Sequence, residues 1–84
     1  MARITRNRLA RHRVDAGFDT AQQAAEKLGC TRVYLLNIER GATGASPALI
    51  QRIAALYGLS EDQVIFAMRL AQKDLHKRSL EALQ

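Results

Sequence analysis

Apolar residues recur along this chain three and four positions apart instead of alternating, and the runs break at glycines, hydroxyl residues and one proline. That pattern predicts helices and no strands. A first helix is expected from about Thr5 to Ala16, with Leu9, Ala10 and Val14 inward and Gly17 as its stop. A second opens at Thr20, whose hydroxyl can cap it while Gln23 reaches back to complete a capping box, and it ends near Leu28. Gly29 then makes a tight turn, and Thr31 caps a third helix that runs from Arg32 to Arg40 and stops at Gly41. Residues 42–45 are small and polar enough for a loop. Ser46-Pro47 pairs a capping serine with a proline at the first helical position, opening a fourth helix with Leu49, Ile50, Ile53, Ala54, Leu56 and Tyr57 at helical spacing. Gly58 closes it, with Leu59 placed for the accompanying apolar contact. Ser60 and Gln63 form a second capping box, and no breaker interrupts the last helix from Glu61 to the C-terminus, although the polar stretch from Lys73 to Ser79 is where its end would fray. The fold class expected is all-α: five helices in one domain over residues 1–84, the last helix extended.

At 84 residues and 48% hydrophobic the chain has room for one small core. Cys30, the one cysteine, can form no internal disulfide and has no partner for a zinc site, so it is read as a small core residue. His12 and His76 stand apart, and no metal or cofactor is expected. Absent too are a Ser/His/Asp or Cys/His set, paired carboxylates and a glycine-rich phosphate loop, so an enzyme is not expected. Thirteen Lys and Arg against 8 Asp and Glu give a net charge of +5, which favours polyanionic partners, nucleic acid first and an anionic membrane surface second. Five arginines, Arg3, Arg6, Arg8, Arg11 and Arg13, precede the first acidic residue, Asp15. Arg3 and Arg6 suit an arm that follows DNA, and Arg8 and Arg11 a solvated helix face. Apolar runs such as Val64 to Met68 fall far short of the roughly 20 residues of a membrane span, and no secretory signal follows the basic start, so the expected compartment is the cytoplasm.

The segment from Thr20 to Gly41 carries the chemistry. Two helices crossing closely need a small residue where their backbones meet, a permissive turn and an apolar plug, and Ala25, Gly29 and Leu35 supply them at fitting intervals. Ala24, Leu28, Cys30 and Ile38 fall inward, while Gln22, Gln23, Glu26, Lys27, Arg32, Val33, Leu36 and Asn37 fall at or near the surface. Through Ala24-Ala25-Glu26-Lys27-Leu28-Gly29-Cys30-Thr31-Arg32 and Asn37-Ile38-Glu39-Arg40-Gly41, the chain resembles the phage Cro and repressor (XRE-type) helix-turn-helix family. The resemblance covers roughly Leu9 to Ile65, including Ser46-Pro47 and the corner from Ala55 to Ser60. It implies a compact five-helix DNA-binding domain, commonly a dimer on a palindromic operator, and an ion pair between Arg13 and Glu39 that ties the first helix to the third. The chain departs from the family pattern at Ala21, where related proteins often carry a phosphate-contacting glutamine, and at Ala24, where leucine is usual; Phe18 is expected to fill the space left under the second helix.

In such a domain the N-terminal end of the third helix leads into the major groove. Arg32 is placed for guanine, Val33 for a thymine methyl, and Tyr34 and Asn37 for further base or phosphate contacts; Tyr34 could equally lie against the turn and hold it. Thr20 and Gln22 at the start of the second helix, with Thr31, Arg40 and Thr43, are the candidates for backbone phosphates. The last helix carries more apolar surface than one groove needs, and Ile65, Met68 and Leu75, at heptad-like spacing, are expected to meet a second subunit; the other reading is a helix folded back along its own domain. The function expected is a sequence-specific transcriptional regulator, a homodimeric repressor of phage, plasmid, mobile-element or restriction-controller type, with autoregulation suggested by its small size. The alternative is an antitoxin-like module that binds its operator and a partner protein, its C-terminal helix ordering only on that partner. Glu26 lies where some related regulators touch RNA polymerase, although a solubilising charge is its default reading.

Overall fold

The computed structural model describes the backbone of residues 8–82 and the side chains of residues 8–77. Five helices follow one another: α1 Leu9–Asp15, α2 Ala21–Leu28, α3 Arg32–Arg40, α4 Pro47–Tyr57 and α5 Glu61–Ala82, with no strand among the described residues. The all-α expectation holds. Helix starts follow local chemistry. Thr20 Oγ1 accepts from the Gln23 amide at 3.3 Å and Gln23 Oε1 from the Thr20 amide at 3.2 Å, the reciprocal box expected at α2. Ser60 and Gln63 repeat it at α5 with bonds of 3.1 and 2.9 Å, and Thr31 and Ser46 cap α3 and α4 through the amides of Tyr34 and Leu49. Each cap contributes about 1 kcal/mol because it satisfies an amide the helix itself cannot.

The first helix differs from expectation at both its start and its facing. Arg8 is extended (φ −73°, ψ 141°), so α1 begins only at Leu9; Thr5 to Asn7, expected to be helical, lie outside the described residues, as do Arg3 and Arg6. The Arg8 guanidinium forms an ion pair with Asp74 of α5, which ties the residue that precedes α1 to that helix. Arg8 is therefore neither a solvated face nor part of an arm, whereas Arg11 is exposed and pairs with Asp15 one turn on. Val14, expected inward, is exposed, and Arg13 takes the inward position one turn after buried Leu9. Residues four apart share a helix face, so turning Leu9 and Arg13 in necessarily turns Val14 out.

The core joins Leu9, Leu28, Leu35, Ile38, Ile53 and Val64 with the alanines Ala24, Ala25, Ala54 and Ala67. Helix α4 packs on α2 and α5, α3 on α2 and α5, and α1 on α4 and α5. Phe18 lies against this core with its ring 6.2 Å from that of Tyr57. The Tyr57 hydroxyl is buried without a hydrogen-bond partner; burial, and then the charge of Glu39, push its pKa up, so it stays protonated. Helix α5 continues unbroken through the segment where fraying was expected. Met68, expected at a subunit interface, is instead 7% exposed and belongs to this core.

Candidate nucleic-acid interface

Helices α2 and α3 are joined by a turn that only a few residue types can make. Gly29 sits at φ 74°, in the left-handed region where a side chain is strained, and the chain closes behind it with the Cys30 amide donating to the Ala25 carbonyl at 3.1 Å. Cys30 is half-buried beside the core, and burial pushes its thiol pKa up, which favours the protonated form.

Rotation of α3 about its own axis is set by three groups. Leu35 and Ile38 are fully buried, and Glu39 reaches back to α1, where Arg13 Nε donates to its Oε2 at 2.9 Å. Arg13 Nη1 also donates to the Phe18 carbonyl at 2.8 Å, so one guanidinium ties α1, the α1–α2 connection and α3 together. This is the pair the family resemblance implied. Burial pushes the Glu39 carboxyl above the ordinary carboxylate range, while the charge and hydrogen bond of Arg13 pull it partly back.

With that face locked, the opposite side of α3 is free. Arg32 and Val33, its first two residues, are exposed, as is Arg40, its last; Leu36 and Asn37 are half-buried between them. Neither Arg32 nor Arg40 has an ion-pair partner among the described residues, so both charges remain available. Tyr34 is half-buried, and its hydroxyl donates a long 3.4 Å hydrogen bond to the Gly44 carbonyl of the α3–α4 loop, away from the turn at Gly29. Thr43 is half-buried and donates to the same carbonyl at 3.4 Å. Thr31 is exposed but its hydroxyl is engaged in capping α3.

At the start of α2, Thr20 is exposed and engaged in its box, which leaves the Ala21 and Gln22 amides at the positive end of the helix dipole. Gln22 is exposed, with Nε2 donating to Glu26 Oε1 at 3.0 Å. Sequence reasoning missed two of these engagements. The Gln22–Glu26 bond was legible from its i,i+4 spacing; the Tyr34–Gly44 contact was not, since nothing local fixes where the α3–α4 loop returns. The surface can thus present a cationic, partly apolar helix end to a groove and a positive helix terminus to a phosphate.

Among the described residues no three His, Cys, Asp or Glu side chains are grouped to hold a metal ion, and no helix is long and apolar enough to cross a membrane. A family model described as a helix-turn-helix domain matches residues 6–64, which include all of α1 to α4 and stop in the first turn of α5. No curated protein and no solved structure matches the chain.

Proposed function

The chain belongs to the helix-turn-helix domain family, and from that premise we propose that it is a sequence-specific transcriptional regulator. In this reading it is a homodimeric repressor of phage, plasmid, mobile-element or restriction-controller type, with α3 in the major groove of a palindromic operator. One observation carries the proposal: Arg32 and Val33 stand exposed at the leading end of a helix whose other face is held by Leu35, Ile38 and the Glu39–Arg13 pair. A positioned helix end with an uncommitted guanidinium suits bidentate hydrogen bonding to guanine O6 and N7, and a rigid support makes that contact selective. The α2 terminus and Arg40 then serve to set the register on the phosphate backbone. Nothing in the proposal requires catalysis.

Selection of bound sequences from a random duplex pool tests this. The wild type should recover a palindrome. Arg32→Ala should lose about 1–3 kcal/mol of discrimination at one base pair per half-site and relax the preference there, while Arg40→Ala, which removes one phosphate contact per subunit, should weaken all sequences alike and flatten the salt dependence of dimer binding by about two units. Salt-sensitive binding without any motif would defeat the proposal.

Dimerisation is assigned to α5. Since Met68 is taken up by the core, the free face is drawn from Phe66, 51% exposed, and half-buried Leu70 one turn on; half-buried Leu75 falls on the side of Met68, and half-buried Ile65 between the two sides. Phe66 and Leu70 line a groove of about 580 Å³ rimmed by Arg69, Lys73 and His76. A self-complementary patch covered by a second copy accounts for a large aromatic left in water. Phe66→Lys is expected to weaken self-association by about 2 kcal/mol or more, as loss of an aromatic anchor does, in sedimentation measured across a concentration series. Unchanged association would remove Phe66 from the interface and turn attention to the antitoxin-like alternative, in which a different protein covers this face.

A further inference from the structure

Val33 is the most exposed large apolar side chain among the described residues, at 61%. It stands at the second position of α3, a place where a β-branched residue lowers helix propensity and where it meets no core. Its neighbours on the free face are of another kind: Arg32 before it offers only donors, and Asn37, one turn on, offers an amide. Tyr34 is held away by its bond to the loop. In the major groove the base pairs present donors and acceptors throughout, and one apolar group, the methyl at C5 of a pyrimidine.

We infer that Val33 makes α3 a reader of the pyrimidine C5 methyl group, so that bases carrying it, thymine and 5-methylcytosine, gain a contact there that cytosine lacks. The inference rests on the DNA-reading function proposed above. Thymine and 5-methylcytosine share that methyl and differ in the major groove at position 4, an acceptor oxygen in one and a donor amine in the other. A valine side chain has neither donor nor acceptor and is blind to that difference. Arg32 and Asn37 can distinguish base pairs by hydrogen bonds, but they gain nothing from a methyl. The consequence is regulatory: methylation of a cytosine in the operator would strengthen binding through a residue of the reading helix itself.

The test begins from the selected operator. Each thymine of a half-site is replaced in turn by deoxyuridine, which lacks only the methyl, and the position that responds is then made cytosine or 5-methylcytosine opposite guanine. Losing the methyl is expected to weaken binding about fourfold per half-site, the worth of one buried carbon, and 5-methylcytosine should bind tighter than cytosine by a similar factor. Val33→Ser, at a site too exposed to disturb folding, should bring both ratios to one with the melting temperature unchanged. Deoxyuridine tolerated at every position, or ratios that persist in Val33→Ser, would overturn the inference while leaving operator recognition intact. Failure to select any operator would overturn both.

Discussion

Gly41→Ala should lower the melting temperature far more than Gly29→Ala, although both glycines end a helix in the left-handed region, at φ 83° and 74°. For Gly29 nothing lies within 4 Å of the Cβ an alanine would add. Its cost is the backbone strain alone, about 1–2 kcal/mol. At Gly41 the same atom would sit 2.5 Å from the Gln72 amide nitrogen and 2.6 Å from the Ala71 carbonyl oxygen, both backbone atoms of α5 that no rotamer change can move aside. Overpacking against a rigid neighbour adds about 1–3 kcal/mol. The sum, about 2–5 kcal/mol, corresponds to roughly 10–30 °C in a domain of this size. Equal losses in the two variants, measured by thermal unfolding, would mean that α3 and α5 do not approach as closely as the structure has them. Because α3 carries the reading surface, Gly41→Ala should also weaken operator binding at temperatures where the protein is still folded.

A second large effect is expected at the Arg13–Glu39 pair, whose side chains are 11% and 6% exposed. Glu39→Ala should cost about 3–5 kcal/mol in urea unfolding, since it strands a buried guanidinium. Arg13→Met combined with Glu39→Leu should recover most of that loss, short by about 1 kcal/mol for the Phe18 carbonyl that Arg13 no longer satisfies. The direction of the Glu39 pKa supports this asymmetry. Burial raises it despite the partner, so the folded state holds the proton more tightly than the unfolded chain does. Its contribution to stability is then fully present below the ordinary carboxylate range and declines as the pH rises through the raised value. Glu39→Gln should remove that decline from a series of unfolding curves across the acid range. A wild type whose stability instead rises through this range with Glu39, and loses that rise in Glu39→Gln, would reverse the sign and show the ion pair to outweigh the burial.

These two sites mark the limit of what the sequence specifies. The helix starts at Thr20, Thr31, Ser46 and Ser60 were legible because a cap bonds an amide three residues away and needs nothing further off. Inward positions such as Leu28, Leu35, Ile38, Leu49 and Ile53 were legible because helical spacing puts them on one side whatever they pack against. The turn through Gly29 and the exposed start of α3 followed from those local demands, and the family from the resemblance carried by residues 24–32 and 37–41. What tertiary structure alone decided is how each helix is rolled and what lies across from it. Val14 and Arg13 are adjacent, and the arginine turns in to meet Glu39, brought near by folding, and the Phe18 carbonyl. Met68 and Phe66 are two apart in the apolar run from Val64 to Met68, and the packing of α5 on α3 and α4 selects which of them is buried. Gly41 reads as an ordinary helix stop in sequence, but the backbone of α5 lies where its side chain would be, and that contact between segments thirty residues apart is encoded in no local pattern.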